Sequence, residues 1–246
     1  MQRLCNDDAE IDLAATSGAV LVKAGAVLTM EECSVTSKYS NGVVIQGGGS
    51  YGFILHNQLQ HAKGAGVLFA DHAEGLVEDN VISCNGLAGV AIVSNANPVV
   101  RGNRICHGLD SGVKVSQQGR GCVEGNDIFA NRRAGVAILS KAAPLIKYNR
   151  IFDGHDSGVL VCGGGRGSVV ENHIFANHMA AVAVCPGGAS RVTGNTIRDG
   201  NGGSLYLSPS SRARISANMI HQHPPRAMQV PEKLLAGLRK HNCIRY

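Results

Sequence analysis

An asparagine returns every 23 residues through most of this chain, at Asn57, Asn80, Asn103, Asn126, Asn149, Asn172, Asn195 and Asn218. Two positions after each stands Leu59, Ile82, Ile105, Ile128, Ile151, Ile174, Ile197 or Ile220. A Gly-Val pair keeps the same period at Gly66-Val67, Gly89-Val90, Gly112-Val113, Gly135-Val136 and Gly158-Val159, ending as Ala181-Val182 and Ser204-Leu205. A fixed period of this size marks one structural unit stacked many times. Within a unit the apolar runs are short, as in Gly89-Val90-Ala91-Ile92, Val99-Val100 and Ile105, with turn residues between them, so no helix fits. Three short strands joined by turns make one coil of a right-handed parallel β-helix, whose neighbouring coils lie ~4.8 Å apart. Side chains at equal repeat positions then stack. The isoleucine column fills the core, and the asparagine column suits buried turns in which each side-chain amide bonds its neighbours above and below, as in cross-β assemblies.

A second-order repeat of 46 residues overlies the first. Residues 89–111 and 135–157 share Gly-Val-Ala-Ile, a proline (Pro98, Pro144), Asn-Arg-Ile and Asp-Ser; residues 112–134 and 158–180 share Gly-Arg-Gly and Ile-Phe-Ala-Asn. Upstream, Ala19-Val20-Leu21-Val22 and Ala26-Val27-Leu28-Thr29 read as strands of one or two irregular opening coils, with Ser34 where the ladder calls for asparagine. The open ends need covers. After Pro224-Pro225, the stretch from Pro231 to Lys240 reads as a short amphipathic helix, with Pro at its start and basic residues at its end, laying Leu234, Leu235 and Leu238 on the last coil. Asp7 to Ala15 is the corresponding cover at the other end. The expected organisation is an irregular lead-in over residues 1–18, a β-helix of about nine or ten coils over 19–223, and a basic cap helix and tail over 224–246. Composition agrees: 32 glycines, no Trp, 4% aromatic and 17% charged residues suit a chain that turns often and packs small aliphatic side chains.

No apolar run approaches the ~18–20 residues of a membrane span. The first twelve residues carry three acids before Ile11 and lack a basic region followed by an apolar stretch, so a secretory signal is not expected. None of the seventeen asparagines lies in an Asn-x-Ser/Thr sequon, which with the missing signal points to cytoplasm or nucleus and to eight cysteines as thiols. Cys162 and Cys185, 23 apart, stand within reach of a disulfide if oxidised. The net charge of +5 gathers in the tail, where seven Lys or Arg follow Ser211 against one acid, Glu232. With no aromatic interleaved before Tyr246, that tail reads as a solvated cap ahead of a nucleic-acid arm.

Charge columns follow the repeat. Two positions before the ladder run Glu78, Arg101, Glu124 and Lys147; seven after it, Asp110, Arg133 and Asp156. Alternating signs on adjacent strands read as surface salt ladders that fix register. Glycan-active β-helices need clustered carboxylates with cations or Ca²⁺ to neutralise a uronate, and no column here stacks two acids. His173 and His178, five apart, and His221 and His223 match no zinc spacing. No cofactor and no metal site is expected. One position after the ladder, the column Arg104, Asp127, Arg150 and His173 points outward by strand alternation and is the candidate partner-binding face, with Arg150 as its anchor.

The motifs Pro-x-x-x-x-Asn-Arg-Ile (98–105 and 144–151) and Gly-Arg-Gly followed by Glu-Gly-Asn-Asp-Ile-Phe-Ala-Asn (119–131) resemble the β-helix repeats of the F-box only proteins 10 and 11, and more distantly those of the Shc SH2-domain-binding spindle protein. The resemblance spans roughly residues 42–220. It implies a non-catalytic recognition module that holds the protein target of a Skp1–cullin–F-box ubiquitin ligase, with Skp1 and cullin as partners if an F-box stands elsewhere in the full-length protein. The spindle relative implies a scaffold at the midzone in cytokinesis. A polysaccharide lyase or epimerase ranks third.

Overall fold

The computed structural model describes residues 2–5, 18–23, 25–221 and 228–245. The expected N-terminal cover from Asp7 to Ala15 and the Pro224-Pro225 break lie outside the described residues. One coil shows the plan: strands Val90–Ile92, Val99–Arg101 and Arg104–Cys106 each pair in parallel with the strand one coil before and after. Three parallel sheets result, of ten, nine and ten strands among the described residues. The first contains Val99–Arg101, the second Val90–Ile92 and the third Arg104–Cys106. Val90, Ile92, Val100 and Ile105 point inward and are fully buried, and their counterparts on successive coils form one continuous apolar core. β-branched side chains dominate it because they pack well on a pleated surface of short strands.

The asparagine ladder closes the corner between the first and third sheets. Asn103 Nδ2 donates to Asn126 Oδ1 at 3.0 Å and to the carbonyls of Val77 and Arg101, and the backbone N–H of Asn103 donates to the same Asn126 Oδ1. The pattern repeats from Asn80 to Asn218. Each amide thereby satisfies buried backbone groups that a tight corner leaves without partners. The residue before each rung, including Asp79, Tyr148 and Glu171, has positive φ, so the corner is a left-handed bend repeated on every coil.

The ladder departs from expectation at both ends. Cys33, not Ser34, occupies the opening position: its N–H donates to Asn57 Oδ1, while Ser34 pairs with Gln58. The reason is one extra residue in the turn from Gly47 to Ser50, since Gln46 pairs with Ala70, 24 residues on, whereas Tyr51 pairs with Glu74, 23 on. At the other end the helix (Glu232–His241) forms as expected, with Leu238 buried, Leu234 against the core and Leu235 partly exposed. The chain then does more than trail off. Asn242 accepts from Asn218 Nδ2 at 2.8 Å and donates to the Leu238 carbonyl, so one side chain extends the ladder and ends the helix. Cys243–Arg245 adds a strand to the third sheet.

A second, sparser ladder accounts for the 46-residue period. Asn85, Asn131 and Asn177 lie buried two coils apart in the turn between the third and second sheets. Asn131 Oδ1 accepts from Gly108 N and Asn177 Oδ1 from Gly154 N. A Cβ at Gly108 or Gly154 would stand 3.1 or 3.0 Å from those oxygens, a tight fit that favours glycine at these two positions, whereas at the head of the ladder Ala62 makes the same N–H bond to Asn85 Oδ1. Cys162 and Cys185 face each other across adjacent coils, with Cα atoms 4.9 Å apart, within reach of a disulfide as their equal repeat positions lead one to expect.

Asn126 makes five side-chain hydrogen bonds in the middle of the first ladder. Asn126→Ala leaves several buried backbone groups unsatisfied, each worth ~1–3 kcal/mol, and is expected to lower the equilibrium stability in urea by at least about 3 kcal/mol. Arg150→Ala, which removes an exposed pair, should lower it by under about 1 kcal/mol. A similar small loss for both would contradict the ladder's role.

Candidate functional site

The column read from the sequence is assembled as expected: Arg104, Asp127, Arg150 and His173 stand in register on consecutive strands of the third sheet. Arg150 Nη1 lies 3.1 Å from Asp127 Oδ2. Two residues on runs a parallel column of Cys106, Phe129, Phe152, Phe175 and Arg198. The three phenyl rings stack 5.0 Å apart and within 7° of parallel. Arg104 lies over Phe129, Arg150 over Phe152 and Arg198 over Phe175, with centroid distances of 4.9, 5.1 and 5.0 Å. Arg198 Nε donates to His173 Nε2 at 3.1 Å. Burial, and then the Arg198 and Arg150 guanidiniums, hold His173 below the usual histidine range. This face covers much of its own charge with rings and counter-ions.

The first sheet carries the expected salt ladder, with Arg101 on Glu78 at 2.7 Å and Lys147 on Glu124 at 2.6 Å. The Lys147 ammonium holds Glu124 below the usual carboxylate range. Burial, with Glu124 beside it, pushes the Cys122 thiol up to about 11, so it is no nucleophile at neutral pH.

A different constellation occupies the turn between the third and second sheets. Leu109, Arg132, Arg133, His155, Asp156 and Met179 line a shallow open cleft there. The ladder residue Asn131 holds this turn and is followed at once by Arg132 and Arg133; Asn177 does the same for His178 and Met179. His155 and His178, one coil apart, have ring centroids 5.0 Å apart. Asp110 sits at the back, buried, 3.1 Å from Lys114 Nζ and 3.6 Å from Arg133 Nε. Lys114 departs from its column on the second sheet, which otherwise carries Leu68, Ala91, Ala137, Leu160, Ala183 and Tyr206. The cleft thus gathers two guanidiniums, an imidazole and a carboxylate, with a second imidazole and an ammonium at its edges. Among the described residues, no group of three or more His, Cys, Asp and Glu side chains is placed to hold a metal ion.

Sequence reasoning named Asp110, Arg133 and Asp156 only as a salt ladder, and Asp156 turns to Ser157 instead, at 2.6 Å from its N–H. It missed Arg132, Lys114 and His155. The signal is present in the sequence: Arg132, His155 and His178 stand 23 residues apart and so stack on successive coils.

A family model described as a right-handed beta helix region matches residues 10–138 and again 103–231. Among solved structures, the chain is similar to the A-module of the Azotobacter vinelandii mannuronan C-5 epimerase AlgE6, with 18% identity, a TM-score of 0.58, and 88% of this chain and 62% of that one covered. The A-module of the AlgE4 epimerase from the same organism gives 14% identity and a TM-score of 0.53 over 97% of this chain and 84% of that one. Pectate lyase Pel9A gives 13% and 0.52 over 88% and 68%. The chain therefore spans less than two thirds of the AlgE6 module. At these identities the likeness shows the fold. The named neighbours are polysaccharide-modifying enzymes, and this overturns the expectation of a non-catalytic recognition module of an F-box ubiquitin ligase and that of a midzone scaffold. The Gly, Asn and Ile of the motifs behind that expectation stand at positions that the coil geometry itself demands, so the motifs carry the fold and not the function.

His173 provides a test of the third-sheet geometry. Its charged form is disfavoured in the fold, so stability should fall as pH drops through its unfolded value of 6.5. Residue-specific NMR titration should place its midpoint below 6.5, and Arg198→Ala should raise it; a wild-type midpoint above that value would contradict the arrangement.

Proposed function

We propose that this chain, which belongs to the right-handed β-helix family, modifies uronic-acid polysaccharides by removing the proton on the carbon beside the carboxylate, as an epimerase or a lyase. The observation that carries the reading is the placement of Arg132 and Arg133 next to His155 in one cleft. A proton α to a carboxylate is weakly acidic because its removal adds charge to a group already anionic. Guanidiniums paired with that carboxylate offset the developing charge, and an imidazole takes the proton. Asp110 holds Arg133 and Lys114 from behind.

In the lyase outcome His155 takes the C5 proton, the C4–O bond breaks with its electron pair going to the glycosidic oxygen, that oxygen takes a proton, and a C4–C5 double bond remains. In the epimerase outcome the C4–O bond stays intact and a proton returns to C5 from the opposite face. Neither outcome needs the paired carboxylates that glycoside hydrolysis uses, so their absence from the columns argues only against hydrolysis. The names of the solved neighbours support the same chemistry.

The test is incubation with mannuronan and with pectate, reading the ultraviolet absorbance of an unsaturated product and, by proton NMR, the epimer content of the polymer. His155→Ala, and separately the pair Arg132→Ala with Arg133→Ala, should lower turnover by ~10²-fold or more, with Arg150→Ala near the wild type. No change in either polymer by either readout would overturn the reading.

A further inference from the structure

The charge of this molecule is divided along its sequence. Thirteen Lys or Arg against fifteen acids precede residue 160, and ten against three follow it. One set of arginines repeats along the coils without the acids that pair with Arg101 and Lys147 on the first sheet. Arg120, Arg166 and Arg212 are exactly two coils apart, 46 residues each time, at equal positions in the turn that leads from the second sheet to the first. All three are exposed. Each turn is pinned to the coil before it, by Arg120 N–H to the Ala96 carbonyl, Arg166 N–H to Ala142 and Arg212 N–H to Gly188, at 2.9, 2.7 and 2.8 Å. The coils between carry Ala143 and Ala189 at the same position, so nothing there reaches or neutralises the guanidiniums. On the neighbouring strand column Arg191 pairs directly with Arg214, an arrangement of like charges that costs stability. Among the described residues none of these five arginines makes a salt bridge or lies over an aromatic ring, whereas Arg101, Arg133, Arg150 and Arg198 are paired with acids and Arg104 lies over Phe129.

We propose that Arg120, Arg166 and Arg212, with Arg191 and Arg214 at the C-terminal end, form a track that binds an acidic polysaccharide lying along the solenoid axis, separate from the cleft where the reaction occurs. The polysaccharide class rests on the proposed function; the polyanion site rests on the arginines. Coils ~4.8 Å apart put successive guanidiniums of the track ~10 Å apart. One side chain could not neutralise two cations at that spacing. An extended uronate chain presents like carboxylates to one side once per disaccharide, a distance of the same order. A nucleic-acid strand carries a charge every ~3.4 Å of duplex axis, and no stacked aromatic rings accompany the track as they do on the third sheet, so the polysaccharide is the better match. Because the track and the cleft lie on turns at opposite edges of the second sheet, a long chain could be held on one while another is processed at the other.

The experiment uses the full chain, with binding of a long mannuronan fraction followed by calorimetry at low salt. The triple variant Arg120→Gln, Arg166→Gln, Arg212→Gln should weaken binding by about tenfold or more, equivalent to ~1.4 kcal/mol, and flatten its salt dependence. A control triple with the same change in net charge, Lys23→Gln, Lys38→Gln and Arg101→Gln, should shift affinity by less than about twofold, since exposed charges far from a ligand are screened. Turnover of a short oligosaccharide should be the same in the track variant as in the wild type. Equal weakening in both triples, or undiminished binding in the track variant, would overturn the track. So would tighter binding of single-stranded DNA that the track variant loses. Loss of affinity in the track variant with no turnover by the wild type would keep the track and discard the reaction; turnover with unaltered affinity would do the reverse.

Discussion

From Asn57 to Asn242, coil after coil is tied to the next by a hydrogen bond between side-chain amides one coil apart. A 23-residue coil must bend sharply between its first and third sheets, and the bend leaves backbone N–H and carbonyl groups buried with no strand partner. One asparagine per coil satisfies both kinds of group, and passes the register to the next coil through Nδ2 and Oδ1. Strands of three residues have few ladder bonds of their own with which to fix register. The amide column supplies that constraint, and the fully buried Ile105, Ile128 and Ile151 stack behind it. The apolar column gives the core its area; the asparagines decide which residue faces which.

Register is what turns single residues into sites. Since equal positions stack, a chemistry-bearing pair needs only two side chains 23 residues apart, and a periodic cation needs only one substitution per two coils. The second ladder, with Asn85, Asn131 and Asn177, repeats every two coils. Asn131 holds the turn that presents Arg132 and Arg133 against His155 on the next coil. The same 46-residue period places Arg120, Arg166 and Arg212 along one edge. The third-sheet face is built by the same logic toward another end: stacked phenyl rings beneath guanidiniums that also reach Asp127 and Asp199 make a self-contained wall.

Much of the fold was legible because the signal was strictly periodic. The asparagine and isoleucine columns, the pairing of Glu78 with Arg101 and of Glu124 with Lys147, and the helix after Pro231 follow from counting and from pattern. What escaped counting was a change of period. One extra residue between Gly47 and Ser50 moves the ladder position to Cys33, and a whole helix intervenes before Asn242 resumes it. The cleft lay within the same count, since Leu109, Arg132, His155 and His178 follow one another at 23 residues, and so do Asp110, Arg133, Asp156 and Met179; what periodicity does not say is that the turn carrying these two columns opens into a cleft. The functional expectation failed for a related reason. Motifs that any such coil requires were given the weight of a lineage, while the cations that distinguish this surface were counted only as salt pairs.

Solvent deuterium reports directly whether a C5 proton leaves a uronate in this molecule. Mannuronan and pectate treated with the protein in D₂O should either gain deuterium at C5 in residues of inverted configuration, read by NMR and mass spectrometry, or lose the C5 hydrogen in an unsaturated chain end. Shortened chains in which every C5 retains its original hydrogen, with no unsaturated ends, would mean hydrolysis, and would contradict the assignment of His155, Arg132 and Arg133 to proton abstraction beside a carboxylate.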